Sequence, residues 1–250
     1  MTLVIEAPAE ARTRTGVSVV IPVLNEEEAI GTVIDRLRRE AIDDIIIADG
    51  GSRDRTVAVA EARGARVIHA GKGYGRACLL GAKAAGEGCR IVVFMDGDGS
   101  DVTSELPRLI GPIAADTHDF VIASRARGRR EPGSMAWHQL AAGRIIGTFI
   151  GLVFGQYYTD MCAFRAIRRD ALLALDMREM TYGWNLEMQM KAGYGELRTL
   201  EIAVPYARRI GGQSKVAGSL SGTLKAGTRI VLTLARISLS RLRPAAGPPR

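Results

Sequence analysis

Short apolar runs rich in β-branched residues alternate with helical segments through the first half of the chain, and this alternation restricts the fold more than any other feature. Helices of roughly 10–15 residues between such runs indicate βαβ units, in which neighbouring strands are parallel. The sequence therefore predicts an α/β fold with a mostly parallel sheet and helices on both faces. The predicted strands are Val17–Val23, Ile45–Ala48, Ala65–His69, Ile91–Met95 and Phe120–Ala123.

Polar residues mark where the predicted helices begin and end. The segment NEEEAIGTVIDRLRRE is predicted to be capped near Asn25, with arginines in its last turn. The segment SRDRTVAVAEARG is predicted to be capped by Ser52 and to stop at Gly64. Two further helices are predicted at Gly75–Gly86 and around Ser104–Ala115.

The composition is that of an ordinary globular protein, since 47% of the 250 residues are hydrophobic and 24% are charged. A chain of this length fits one large domain, or one domain with an appendage. Cys78, Cys89 and Cys162 form no CxxC pair, which favours a reducing compartment over a disulfide framework. The segment MTLVIEAPAEARTRTG lacks a basic start followed by an apolar stretch, so we expect no signal peptide.

Basic residues are concentrated toward the C-terminal end of the chain. The net charge is +7, yet no Asp or Glu follows Glu201, whereas nine Lys and Arg residues do. This asymmetry predicts an anionic partner, either a phosphate-bearing substrate or a lipid surface. Because the basic tail contains no aromatic residue after Tyr206, nucleic acid is not the expected partner.

Two later segments bear on membrane contact. In Ala136–Phe154 the uninterrupted apolar part begins at Ile145 and is too short to cross a bilayer, which needs about 20 residues. On its apolar composition this segment is expected to be buried in the core. Ser219–Leu242 alternates apolar residues with Lys and Arg, which predicts a basic amphipathic helix on a membrane surface.

Polar residues follow four of the predicted strands at the point where each strand ends. Because the carboxyl ends of parallel strands meet at one edge of a sheet, these residues are expected to converge there. The run Ile91–Met95 leads directly into Asp96-Gly-Asp98-Gly-Ser-Asp101. Carboxylates so close together repel each other unless a cation or hydrogen-bond donors offset the charge. This spacing favours a divalent-metal site, and the alternative is an ordinary turn built from Asp and Gly.

Three motifs, VSVVIPVLNEE, IIIADGGSRDRT and VVFMDGDGSD, resemble the nucleotide-sugar domain of family 2 glycosyltransferases with the GT-A fold. The later segments ASR, TDMCAFRAIRRDAL, YGWNLEMQMKA and VPYARRIGGQSKV resemble the polyprenyl-phosphate branch, such as dolichol-phosphate mannose or glucose synthases. The resemblance covers about residues 16–220. The expected divisions are a flexible N-terminus at 1–15, a GT-A catalytic domain at 16–218, a membrane-peripheral basic amphipathic helix at 219–243 and a disordered tail at 244–250.

The resemblance implies an inverting, metal-dependent enzyme that moves a hexose from a UDP- or GDP-sugar to a polyprenyl phosphate. It also implies a peripheral location at the cytoplasmic, inner face of the cell membrane, where the segment Ala136–Phe154 would lie in the bilayer interface instead of the core. The chain offers no strong candidate for a general base, which favours a phosphate acceptor because a phosphate oxygen is already ionised near pH 7. Two alternatives stay open: a soluble transferase to a small anionic acceptor such as phosphoglycerate, and a degenerate, non-catalytic nucleotide-sugar-binding module.

The resemblance also assigns the donor site. Asp98 is the implied ligand of Mg²⁺ or Mn²⁺, and Asp96 is the implied contact of the nucleotide and its ribose. Ser100 is the second predicted metal residue; it stands where relatives often place Gln or His as a ligand, and either Asp101 or water would complete the shell. Asp49 would accept the base N–H of uracil or guanine, unless it is only an acid at a helix N-terminus. The predicted donor-binding residues are Pro22, Asn25, Glu26, Asp49, Gly51, Lys72, Asp96 and Asp98.

Arginine and lysine side chains are the expected partners of the phosphate groups. Asp160 and Glu187 are further carboxylates of interest, whereas Arg209 is expected to be a solvated neighbour. The predicted catalytic residues are Asp98, Arg125, Arg208 and Lys215, and the predicted acceptor-binding residues are Arg125, Arg144, Arg165, Ser214 and Lys215.

Overall fold

The computed structural model describes residues 16–211, apart from Ala136 and the side chains of residues 137–139. Ser214, Lys215, the predicted basic helix at 219–243 and the predicted terminal segments lie outside the described residues. The strands of the described part are β1 (Val17–Val23), β2 (Asp44–Asp49), β3 (Arg66–His69), β4 (Ile91–Phe94), β5 (Phe120–Ser124), β6 (Arg165–Arg168) and β7 (Thr199–Ala203). The α-helices are α1 (Ile30–Arg39), α2 (Thr56–Ala62), α3 (Tyr74–Ala84), α4 (Leu106–Ala114), α5 (Trp137–Phe154), α6 (Arg169–Ala174) and α7 (Trp184–Tyr194).

The seven strands found in residues 16–211 form one sheet in the order β3-β2-β1-β4-β6-β5-β7. β1 pairs in parallel with β2 and β4, and β2 pairs in parallel with β3. β6 runs antiparallel to both β4 and β5, and β7 returns parallel to β5. The predicted mostly parallel α/β sheet is therefore confirmed, with one reversed strand near its middle.

Alternate residues of the central strands face two separate apolar layers, which explains why these strands lack polar alternation. Val19 and Ile21 pack with α1 and α4 on one face. Val20 packs with α3, α5 and α7 on the other face, where Phe94 and Trp184 meet edge to face. The sheet is thus buried on both sides, as the runs of apolar residues predicted.

All five predicted strands are confirmed, with each end within one residue of its predicted position. The sequence pattern did not predict β6 and β7. β6 has the sequence RAIR, so arginines flank its short apolar centre. β7 has the sequence TLEIA and is only partly buried along its length. Neither strand carries the continuous apolar run by which a doubly buried strand is recognised.

The two predicted helix caps are wrong. α1 begins at Ile30, well after Asn25, and α2 begins at Thr56, after Ser52. The Asn25 and Ser52 side chains bond across two loops instead of capping helices. The predicted stop of α2 at Gly64 is confirmed, since the helix ends at Ala62 and Gly64 has a φ of +68°.

Helix α5 corresponds to the long apolar segment and has two contrasting faces. Its glycine face approaches the backbone closely, because a Cβ at Gly147 would overlap the Tyr158 carbonyl and one at Gly151 would overlap the Tyr157 ring. Its other face is exposed: Ile145 is 70% accessible and Leu152 is 73% accessible. Among the described residues, no helix is both long and apolar enough to cross a membrane.

Candidate active site

A cleft of about 910 Å³ opens at the carboxyl edge of the sheet, where β1, β2, β4 and β5 end. The expected convergence of the polar strand ends is therefore confirmed. A second cavity of about 640 Å³ lies at the opposite ends of β1 and β4 and contains none of the predicted site residues. Eight predicted site residues line the cleft, namely Pro22, Asn25, Glu26, Gly51, Lys72, Asp96, Asp98 and Arg125.

The turn after β4 directs the Asp98 carboxylate into the cleft and turns two neighbouring side chains inward. Asp98 Oδ1 accepts hydrogen bonds from the Ser100 N–H at 3.0 Å and from the Ser100 hydroxyl at 2.5 Å. Ser100 is buried behind Asp98, and its Oγ also lies 3.0 Å from Tyr206 Oη. The Asp101 carboxylate is likewise buried and accepts the Asp96 N–H at 2.9 Å. In this structure the Ser100 hydroxyl orients Asp98, and its role as a metal ligand stays a prediction.

The acids of this turn are electrostatically unfavourable neighbours. Burial, and to a smaller extent the nearby charge of Asp98, together raise the pKa of Asp96 to about 7. Burial also raises the pKa of Asp101 well above its usual value, with the Asp96 charge acting in the same direction. A metal ion or guanidinium group beside these carboxylates favours their ionised form and offsets the repulsion between them.

The loops after β1 and β2 are cross-linked by polar groups. The Asn25 N–H donates to Ser52 Oγ at 2.9 Å, and the Arg53 N–H donates to Asn25 Oδ1 at 2.8 Å. The Asp49 carboxylate, which is buried, accepts the Gly51 N–H at 3.1 Å and the Ser52 N–H at 3.0 Å. Asp49 therefore supports the Gly51 loop from beneath, whereas Gly51 itself lines the cleft.

Arg125 lines the opposite side of the cleft and is held by a buried acid. Its Nε and Nη2 donate to the two carboxylate oxygens of Asp160, each at 2.8 Å. The Arg125 N–H donates to the same carboxylate at 2.9 Å, and the guanidinium carbon lies 5.0 Å from the centre of the Tyr206 ring. Burial by itself would raise the pKa of Asp160, but the charge and hydrogen bonds of Arg125 outweigh it and lower that pKa.

Three predicted phosphate-binding arginines lie away from the cleft. Arg165 is fully buried in β6, and its guanidinium donates to the Cys162 carbonyl and, at 3.1 Å, to the Asn185 carbonyl. It therefore supports the core and cannot contact an acceptor. Arg144 lies on the exposed surface of α5, outside the cleft lining. Arg208 is exposed outside the cleft lining, and its Nε donates to the Pro132 carbonyl at 2.6 Å, so its catalytic role stays a prediction.

Two residues differ from their expected surroundings. Arg209 lines the cleft and reaches its acidic end, although the sequence suggested a solvated neighbour. Nothing in the sequence distinguishes it from the adjacent Arg208. Glu187 is buried, accepts the Glu179 N–H at 2.6 Å and lies 3.1 Å from Lys191 Nζ. Glu187 thus stabilises α7 and the loop before it and does not face the cleft.

An α/β sheet with helices on both faces and an acidic cleft at its carboxyl edge has the form of a ligand-binding enzyme. The sequence profile of a family described as glycosyl transferase family 2 matches residues 18–175. This match covers more than half of the chain, which therefore belongs to glycosyltransferase family 2. The protein is a glycosyltransferase of the hexosyltransferase type.

Curated relatives and solved structures agree with this membership. An uncharacterized glycosyltransferase of Mycobacterium tuberculosis is 33% identical over 217 residues, covering 83% of this chain and 93% of that protein. The undecaprenyl-phosphate mannosyltransferase of Micrococcus luteus is 30% identical over 220 residues, covering 81% of this chain and 88% of that protein. Glucosyl-3-phosphoglycerate synthase from Mycobacterium tuberculosis, in complex with Mn²⁺, UDP-glucose and phosphoglyceric acid, matches with a TM-score of 0.71 at 22% identity, covering 95% and 83% of the two chains. That last likeness shows a shared GT-A-like fold.

Proposed function

We propose that this protein is an inverting, metal-dependent glycosyltransferase that moves a hexose from a nucleotide-diphosphate sugar to a polyprenyl phosphate. The observation that carries the proposal is the pairing of opposite charges across one cleft. Glu26, Asp96 and Asp98 supply negative charge at the sheet edge, and Arg125 supplies a fixed guanidinium on the other side. Such a cleft suits a metal-bound diphosphate on its acidic side and an anionic acceptor on its basic side.

The described residues can hold a divalent cation only if the nucleotide-sugar donor supplies some of the ligands. In residues 16–211, no three His, Cys, Asp or Glu side chains are grouped to hold a metal. Asp98 would supply one carboxylate oxygen, and the diphosphate oxygens of the donor would supply others. When bound, the cation would offset the charge that develops on the departing nucleotide diphosphate. The raised pKa of Asp96 and the guanidinium of Arg209 beside Asp98 both indicate a site that calls for positive charge.

The phosphate of the acceptor would act as the nucleophile without help from a strong base. A phosphate oxygen that is already ionised needs to be positioned more than deprotonated. Direct attack on the anomeric carbon would invert its configuration. The Arg125 guanidinium, clamped by Asp160, supplies a fixed positive group for this positioning. The relative from Micrococcus luteus supports a lipid-linked phosphate, since its name gives undecaprenyl phosphate as the acceptor.

Helix α5 favours a membrane-bound acceptor because one of its faces packs beside Asp160 and the opposite face exposes apolar side chains. Gly143 of α5 packs against the backbone of Asp160, which in turn clamps Arg125. On the outer face, Ile145, Phe149 and Leu152 are 70%, 40% and 73% accessible. Such an apolar face would enter the interface of a bilayer and bring the cleft to the lipid phosphate. The basic residues at 219–243, which are also predicted to contact the membrane, lie outside the described residues.

A transfer assay with the full-length protein tests the proposal. UDP- and GDP-linked hexoses are crossed with a short polyprenyl phosphate and with 3-phosphoglycerate, in Mn²⁺, Mg²⁺ or EDTA. We expect a glycosylated polyprenyl phosphate as the main product, formed only when a divalent cation is present. Preferential transfer to 3-phosphoglycerate would instead establish the soluble alternative.

Vesicle binding tests the membrane part separately. We expect Ile145→Ser combined with Leu152→Ser to weaken binding to anionic vesicles and transfer to long polyprenyl phosphates. Leu173→Ser is the matched control, because Leu173 is also exposed, at 57%, but lies on α6. Equal effects of the α5 and α6 substitutions would contradict a membrane role for α5.

A further inference from the structure

Arg209 places a positive charge on the acidic side of the cleft in the donor-free protein. One of its terminal nitrogens lies 3.4 Å from Asp98 Oδ2 and 3.5 Å from Glu26 Oε1. Its charge also acts on Asp96, whose pKa it lowers against the larger effect of burial. A guanidinium therefore lies beside Asp98, the carboxylate that would bind the divalent cation in the proposed function.

The backbone on either side of Arg209 is fixed to the turn that carries Asp98. The Ala207 N–H donates to the Ser100 carbonyl at 3.0 Å, and the Ile210 N–H donates to the Asp98 carbonyl at 2.9 Å. Gly99 has a φ of +78°, and a Cβ there would overlap the Ile210 side chain, so this segment packs tightly on the turn. The Arg209 side chain is only 25% accessible and is thus partly shielded from water. The contact between Arg209 and Asp98 is built into the fold and is not that of a freely moving surface side chain.

A guanidinium and a divalent cation cannot share Asp98 without strong repulsion, because like charges a few ångströms apart in a partly buried site are costly. The diphosphate of a bound donor offers the guanidinium another anionic partner within the same cleft. We propose that Arg209 neutralises the acidic side of the cleft before the donor binds. It then passes from the carboxylates to the diphosphate when the donor brings the metal. This inference rests on the metal and diphosphate parts of the proposed function.

The exchange makes Arg209 a source of coupling between metal and nucleotide. Without nucleotide, Arg209 competes with the metal and weakens its binding. With nucleotide bound, Arg209 already pairs with the diphosphate. Metal binding at Asp98 then no longer has to break the ion pairs of Arg209 with Asp98 and Glu26. Coupling between two ligands is reciprocal, so the metal must strengthen nucleotide binding by the same factor. Removing Arg209 should therefore raise the affinity for metal alone and lower the affinity for the metal-bound nucleotide.

Isothermal titration calorimetry on the full-length protein tests this coupling, with Mn²⁺ titrated in the absence and presence of UDP. For Arg209→Gln we expect Mn²⁺ to bind the nucleotide-free protein on the order of tenfold more tightly, or about 1.4 kcal/mol. The gain in Mn²⁺ affinity on adding UDP should shrink by at least the same factor. Arg209→Lys keeps the charge and should retain most of the wild-type coupling. Arg209→Ala is made in parallel, and melting temperatures establish that each variant is folded.

Arg36→Gln is the matched control. Arg36 Nη1 donates to the Gly99 carbonyl at 3.3 Å, so the substitution removes the same charge from the same turn without touching the ion pairs of Asp98 or Glu26. We expect it to change the Mn²⁺ affinity much less than Arg209→Gln does. Equal effects of the two substitutions, or an unchanged Mn²⁺ affinity in folded Arg209→Gln and Arg209→Ala, would overturn the inference.

The same titrations separate this inference from the proposed function. If the wild-type protein binds no Mn²⁺ even with UDP present, the metal-dependent function is wrong, and the inference fails with it. If the wild-type protein binds Mn²⁺ and UDP together but Arg209→Gln shows unchanged coupling, only the exchange is wrong. Neither result depends on which acceptor the enzyme uses.

Discussion

The two sides of the cleft hold their charged groups in opposite ways. On the side formed by the loops after β1, β2 and β4, carboxylates are held by main-chain N–H groups close in sequence, as Asp98 is held by Ser100 and Asp49 by Gly51. On the side formed by the end of β5 and the segment before β6, Arg125 is held by Asp160, which lies 35 positions further along the chain. The first side thus presents several carboxylates offset in part by Arg209, and the second presents a positive group that is paired with a buried acid.

The pKa values show what this difference means. Burial and the neighbouring Asp98 charge raise the pKa of Asp96 to about 7, whereas Arg125 outweighs burial and keeps the pKa of Asp160 below its usual value. On the acidic side, repulsion between carboxylates persists beside Arg209, which favours binding of a further cation. On the basic side, the charge of Arg125 is balanced by Asp160. A donor with a metal ion suits the first side, and an anion that needs exact placement suits the second.

The largest effect is expected for Asp98→Asn, which removes a ligand charge from the acidic side. We expect transfer activity to fall about a thousandfold, or about 4 kcal/mol, because the leaving diphosphate would lose its metal. The fold should persist, since Asp98 lies in a turn and its amide can still accept from Ser100. Steady-state transfer assays in Mn²⁺ measure the loss. Asp43→Asn, an exposed acid paired with Arg38, is the control and should leave transfer unchanged. An activity within about threefold of wild type would refute the role of Asp98 as the metal ligand.

A smaller effect, on stability, is expected for Asp160→Asn on the basic side. Removing one partner of a buried ion pair leaves the other charge uncompensated, and the free energy of unfolding should fall by about 3 kcal/mol. Denaturant unfolding measures the change. Arg125→Gln and the double substitution complete a double-mutant cycle, in which the double variant should lose less than the sum of the two single losses. Additive losses would mean that the pair does not couple, and the contrast between the two sides would weaken.

The smallest effect concerns pH. The folded-state pKa of Asp96 lies above that of the unfolded chain, so the folded protein binds more protons between about pH 4 and pH 7. Stability without metal should therefore decrease as pH rises from about 5 to about 8, by about 2 kcal/mol or less. The lowered pKa of Asp160 acts only in acid, where its contribution is lost as pH falls below about 4. Denaturant unfolding across this range should show the decline, and Asp96→Asn should make it shallower, leaving the part that comes from the raised pKa of Asp101. A stability that rises from pH 5 to pH 8 would contradict the raised pKa.

The sequence predicted much of the acidic side because its contacts are local. Apolar runs placed β1, β2 and β4, and the parallel arrangement then brought Glu26, Asp96 and Asp98 to one edge. Within the loops the prediction was less accurate. Asn25 and Ser52 are residue types that often cap helices, but here each forms a hydrogen bond with a residue about 27 positions away in a neighbouring loop. A cap motif shows which side chains can form hydrogen bonds, but it does not show which partner is nearest in the folded protein.

The basic side shows where prediction from the sequence stops. Four arginines looked equivalent as phosphate ligands, yet Arg125 lines the cleft, Arg165 is buried in the core, Arg144 lies on the surface of α5, and Arg208 bonds to a carbonyl outside the cleft. The adjacent Arg209, expected to be solvated, reaches Asp98. An arginine side chain is long and flexible, so the position of its guanidinium depends on the packing around it.

By itself, the sequence determined the α/β alternation, the doubly buried strands and the acidic turn at the sheet edge, because hydrophobic burial and turn formation follow from residues near one another in the chain. Tertiary structure alone decided the reversed strand β6, the pairing of Arg125 with Asp160 and the contact of Arg209 with Asp98. Each of these joins segments far apart in sequence. The stabilisation that these contacts provide depends on the distance between the partners and on their partial burial, and both are set only once the sheet has formed.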